Sequence, residues 1–123
     1  MFALESLALG AEQLPSELSG YWVPKSASCS SPLGLNVTTN TITFKNAKES
    51  RSFANIEPCF SCEGGVQYSG IVIWVSTLGN KEAPFTVYFN ANEIKNTALV
   101  EIESSELQLK FPLNKVRLKK CKP

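Results

Sequence analysis

"LSGYWVPKSASC", residues 18–29, sets Gly20 two places before Trp22, runs on through Val23 to Pro24, and closes on a cysteine. Whether this is the first strand of a closed sheet decides the fold. "GYWVPKS" reads as a strand, and Pro24, which has no N–H to give to a ladder, fits an edge or a bend. The segments that follow are short and β-like, punctuated by turn residues at the spacing of an all-β sandwich or barrel.

"LGLNV" and "TITFK" pair across Thr39-Asn40, with Ile42 and Phe44 on one face and Thr41, Thr43 and Lys45 on the other. "SRSFANIE" is a fourth strand ending at Pro58 and the cysteine loop "PCFSCEGG". The run "VQYSGIVIWVST" is apolar on both faces, with Ile71, Ile73 and Val75 on one and Val72 and Trp74 on the other, so something besides the core must meet it. After the turn "LGNK", "PFTVYFN" alternates Phe85, Val87 and Phe89 against Thr86, Tyr88 and Asn90. "ANEIKNT" is a loop or a single helical turn, and "LVEIE", "LQLKF" and "KVRLKK" are the last strands. In "KVRLKK" the alternation puts Val116 and Leu118 toward the core and Arg117 outward.

The expectation is all-β: a compact antiparallel up-and-down barrel of eight or nine strands with a short N-terminal helical segment. Closing such a sheet removes the exposed edges that an open one would carry. Residues 18–123 form the single barrel domain. Residues 1–17 are an N-terminal segment, either the remnant of a secretory leader, with its small-residue ending at Gly10-Ala11, or a helix that packs on the domain. Hydrophobic residues make up 43% of the chain, yet no run approaches the ~18 apolar residues of a membrane-spanning helix.

The 123 residues include no His and no Asp, and all 11 acids are Glu. A Ser-His-Asp triad, a histidine metal site and an EF-hand loop all lack their parts. Acid–base chemistry would fall to Glu, Lys, Tyr or Cys, whose pKa values need burial or charge pairing to approach neutrality. A non-enzymatic role without metal or cofactor is expected. The net charge of +1 conceals a basic end, because "KVRLKKCKP" carries five cations and no acid. A basic tail suits phosphate or an acidic partner. Since Arg and Lys are not spread over the rest of the chain, the preferred reading is an edge strand blunted by Lys, and nucleic-acid binding is not expected.

Four cysteines, Cys29, Cys59, Cys62 and Cys121, admit three connectivities and fit two structural disulfides in an oxidising compartment. If closing the barrel makes neighbours of the first and last strands, Cys29 pairs with Cys121, leaving Cys59 with Cys62 to close a tight loop. Cys59-x-x-Cys62 is also the spacing of a redox pair or half a zinc site. Neither has its context: Gly64-Gly65 follow in place of a helix, and Glu57 and Glu63 flank the pair and oppose thiolate formation.

With "LPSELSGYW" as a helical turn leading into Gly20-Tyr21-Trp22, and a basic last strand, the chain resembles the lipocalin-like, or calycin, barrels, in particular the compact ones of bacterial envelope and secreted proteins. The resemblance implies that a basic residue of the last strand, with Arg117 the candidate, lies against Trp22 and ties down the barrel end by cation–π attraction and hydrogen bonds. It also implies a carrier of a small apolar ligand with Trp22 flooring the pocket. Against a large cavity stand the bulky inward residues Trp22, Ile42, Phe44, Phe53, Phe85, Val87, Phe89, Leu107 and Leu109, enough to fill an eight-stranded interior. The favoured expectation is therefore a periplasmic or secreted protein that engages a protein partner, of inhibitor or immunity type, through loops and the apolar strand. Trp22, Tyr68, Trp74, Tyr88 and Arg117 are the candidate interface or ligand residues.

Overall fold

The computed structural model describes residues 13–54, 56–59, 73–77, 84–90 and 94–122. The expectations for residues 1–12, Cys62, Gly64-Gly65, Tyr68, Ile71, Val72 and the turn after Thr77 lie outside the described residues, as do the side chains of Cys59 and Trp74.

Among the described residues a 3-10 turn, Ser16–Leu18, leads into nine strands: β1 (Gly20–Pro24), β2 (Gly34–Val37), β3 (Ile42–Lys45), β4 (Ser50–Phe53), β5 (Ile56–Cys59), β6 (Ile73–Thr77), β7 (Phe85–Phe89), β8 (Thr97–Ile102) and β9 (Val116–Lys120). A single helix, α1 (Ser105–Lys110), stands between β8 and β9. The strands form one sheet in the order β4-β3-β2-β1-β9-β8-β7-β6-β5, and every neighbouring pair is antiparallel. This is an up-and-down sheet whose first and last strands are neighbours: Trp22 pairs with Lys120 and Val23 with Lys119.

The sheet's two outer strands, β4 and β5, follow each other directly in the chain. An even number of antiparallel steps separates them, so they run in the same direction. β4 pairs with β3, and β5 pairs with β6. The single fourth strand expected over "SRSFANIE" is thus divided, β4 ending at Phe53 and β5 beginning at Ile56.

The sheet is curled, a half-barrel, because rings from strands far apart in its order meet. Phe44 on β3 lies 5.0 Å from Phe85 on β7, Phe53 on β4 lies 4.9 Å from Phe85, and Trp22 on β1 lies 5.2 Å from Phe89 on β7, all edge to face. Such edge-on packing aims the positive ring edge at a negative ring face. Alternation supplies the inward set: Ile42 and Phe44, then Phe85, Val87 and Phe89, then Ala98, Val100 and Ile102 are buried while their neighbours along the strand are not.

Both ends of this interior are covered. Leu14 and Leu18 join the core at the end where β1 begins, held by Leu14 N–H to the Thr39 carbonyl at 2.8 Å and by the Trp22 indole N–H to the Leu18 carbonyl at 2.9 Å. At the other end Leu107, Phe111 and Leu113 enter the same core, with Phe111 5.8 Å from Phe44. The Asn46 amide donates to the Lys110 carbonyl at 2.7 Å and pins α1 to the β3–β4 turn.

Here the structure corrects the expectation of a strand at "LQLKF". Leu107, Leu109 and Phe111 satisfy a period of two, but Leu107 and Phe111 also stand four apart on one helical face, and Ser104 caps the helix by accepting from Leu107 N–H at 3.2 Å. Glu106 in the first turn and Lys110 in the last complement the helix dipole. Leu109, expected inside, is 85% exposed. Replacing it by Lys should change the unfolding free energy by less than ~0.5 kcal/mol in a urea titration, whereas an inward strand position would lose several times that.

The loop from Lys25 to Leu33 folds back over the outside of β1. It is tied by the Cys29–Cys121 disulfide, across a sequence separation of 92, and by the Tyr21 hydroxyl, which donates to the Ser31 carbonyl at 2.6 Å. This accounts for Val23, which is fully buried although it faces away from the core cluster. Tyr21 lies over Gly34, where a Cβ would strike the Trp22 carbonyl, so only glycine fits there. Among the described residues no helix is long and apolar enough to cross a membrane.

Candidate binding surface

Pairing register aligns residues of β6 to β9 into rows that cross the sheet. One row runs Trp74, Tyr88, Leu99, Arg117, and Lys25 extends it through its N–H bond to the Arg117 carbonyl at 2.9 Å. Opposed residues in such a row sit about 5 Å apart, close enough to act as one surface. Three of the five candidate residues are thus brought together at backbone level: Trp74, Tyr88 and Arg117. Arg117 is exposed, while Tyr88 and Leu99 are half-buried. Tyr88 donates its hydroxyl to Glu101 Oε1 at 2.8 Å, which fixes the ring on the outer face.

Trp22 is not part of this surface. It is wholly buried, packed on Phe89, and its indole N–H is spent on the Leu18 carbonyl. Nor does Arg117 approach it, since Arg117 pairs with Leu99. The cation that ties down this end is Lys120, whose Nζ donates to the Glu17 carbonyl at 2.7 Å while its Cε crosses Gly20. Gly20 has φ of 143°, a conformation that favours glycine. The adjacent basic residues of "KVRLKK" did not tell which would be opposite Trp22, because that depends on the β1–β9 register, a long-range property.

Leu99 and Lys119 are surface members that the sequence pattern left unmarked. Leu99 is flanked by Ala98 and Val100, so "ALV" hid which apolar residue faces out, and only the burial alternation of β8 separates them. At the covered end of the sheet, Glu17, Leu18, Asn90, Lys95 and Asn96 line a cleft of about 190 Å³. Asn90 and Asn96 both hold left-handed backbone, with φ of 58° and 65°, and the Asn90 side-chain oxygen accepts from Asn96 N–H at 3.2 Å. This rim is polar. Among the described residues no group of three or more acids and cysteines is placed to hold a metal ion.

Burial pushes the Tyr21 phenol above its usual value of 10.0. The unfolded chain therefore loses this proton first as pH rises, and the stability that the folded state draws from the neutral phenol is complete below the unfolded value and declines above it. A phenolate could no longer donate to Ser31. The urea midpoint should hold up to about pH 10 and fall above it, and Tyr21→Phe should flatten that fall.

No protein-family model, curated protein or solved structure matches this chain.

Proposed function

We propose that this chain is a non-enzymatic binding protein of the periplasm or the secreted space, built as a lipocalin-like barrel, that engages a protein partner in the manner of an inhibitor or immunity protein. The observation that carries the proposal is the row Tyr88, Leu99, Arg117, which sets a phenol, an aliphatic and a guanidinium group side by side on the outer sheet face, with Trp74 next in register to Tyr88. Aromatic residues and Arg dominate protein–protein contact energy, and a sheet holds them in place at little entropic cost. The Cys29–Cys121 disulfide fits an oxidising compartment. The 3-10 turn before Gly20, the buried Trp22 and the Lys120 tie support the lipocalin-like assignment.

The carrier reading has less support. Phe44, Phe53, Phe85 and Phe111 occupy the interior in mutual ring contact, and the cleft at Asn90 is polar where an apolar ligand would want hydrocarbon.

Native mass spectrometry of the protein from its own host, with Leu99→Glu beside it, tests the proposal. A bound polypeptide that the variant loses supports it. A co-purifying small molecule held equally by both supports the carrier instead, and no bound mass in either sample refutes the partner. Alkylation without reductant in the same experiment checks the compartment: labelling at Cys29 and Cys121 would overturn it.

A further inference from the structure

The outward positions of β9 form a cationic track beside the apolar row, and this track indicates the chemistry of what docks there. Arg117 and Lys119 stand two residues apart, Lys115 precedes them by the same step, and Lys25 lies next to Arg117 on the β1 side. Arg117, Lys115 and Lys25 are exposed and Lys119 is half-buried. Among the described residues none of the four enters an ion pair; the ion pairs present join Lys110 to Glu49 and Glu106, at the α1 end. The cross-strand neighbours of Arg117 and Lys119 on β8 are Leu99 and Thr97, both uncharged. Among the described residues the acid beside the track is Glu101, which lies at its Lys115 end and accepts from Tyr88. Lys25 and Arg117, held opposite each other by the bond from the Lys25 N–H to the Arg117 carbonyl, thus set like charges across neighbouring segments, a destabilising arrangement when nothing answers it.

We infer that the β8–β9 face receives an acidic, extended segment of a partner protein that presents carboxylates at alternate positions and apolar side chains toward Leu99 and Tyr88. Resting on the protein-binding reading above, this specifies the partner. A step of two residues along a strand spans about 7 Å, so successive cations of β9 match the carboxylates of an extended chain with an acid at every second residue. A guanidinium takes such a carboxylate bidentately, and the neighbouring ammonium adds steering at a distance.

The probes are a synthetic peptide alternating Glu with Val, a scrambled peptide of the same composition with its Glu in one block, a single-stranded oligonucleotide and vesicles of phosphatidylglycerol, each titrated against the full chain. The alternating peptide should bind best. Arg117→Glu with Lys119→Glu should weaken it by at least about tenfold, as should raising salt from about 50 to 500 mM. The milder Arg117→Gln with Lys119→Gln should lie between, with thermal unfolding of both variants followed to show that the fold is kept. Equal binding of the two peptides, equal binding by the charge-reversed protein, or no peptide binding at all overturns the inference. So does tighter binding of the oligonucleotide or the vesicles through the same residues. Failure of this inference is separable from failure of the function proposed above: a host polypeptide retained by the charge-reversed protein but lost by Leu99→Glu leaves the protein-binding reading standing without the acidic partner.

Discussion

Phe44→Ala is expected to destabilise the protein by about 3–5 kcal/mol, more than any substitution on the sheet's outer face should. Phe44 touches the rings of Phe53 at 5.9 Å, Phe85 at 5.0 Å and Phe111 at 5.8 Å, so its removal strips packing from β4, β7 and the segment after α1 together. Neighbours drawn from three parts of the chain cannot all collapse into one hole, which places the cost high in the range for aromatic truncation. Urea unfolding should show a lower midpoint with an unchanged slope. Phe44→Leu, which keeps most of the volume, should cost under about 2 kcal/mol. A comparable loss for the two variants would mean that the ring contacts, rather than the filled space, carry the stability. Phe44→Ala combined with Phe85→Ala should cost less than the sum of the two, since each removes the other's partner.

Second in size is the disulfide. Replacing Cys29 and Cys121 together by Ser leaves Cys59 and Cys62 untouched and should cost about 2–4 kcal/mol, because the bond closes a loop over a sequence separation of 92 and so restricts the unfolded chain far more than a local bridge would. Thermal unfolding should drop by roughly 10 °C or more. The far-ultraviolet circular dichroism at low temperature should be unchanged, since the β1–β9 ladder stands without the bond. A change in the native spectrum would instead mean that the bond holds the fold in place, including the loop that covers Val23.

Much of this architecture was legible where local alternation and turn residues sufficed. "PFTVYFN" buries Phe85, Val87 and Phe89 as its period of two demands, and "TITFK" buries Ile42 and Phe44. The pairing of Cys29 with Cys121 followed from closing an up-and-down sheet, because closure leaves the first and last strands side by side. "LQLKF" misled because its three apolar residues fit two periods, and the capping serine that decides between them lies outside the run. The candidate surface was half legible. Tyr88 and Trp74 stood out as aromatics, but that they share a row with Leu99 and Arg117 is a matter of register across four strands. Local sequence does not encode that offset.

The pairing of β1 with β9 has a consequence for how the chain reaches this state. β1 to β4 can form one meander and β5 to β9 another, each through neighbouring segments with low closure entropy. The seam between them instead joins positions nearly the whole chain apart, Trp22 and Lys120, and it carries the highest contact order in the molecule. Folding speed should therefore be governed by the meeting of two preformed halves. A circular permutant that joins the outer ends of β1 and β9 and opens the chain at Ala54 would turn the slow seam into a hairpin, and it should fold faster while keeping every strand pair of the native sheet.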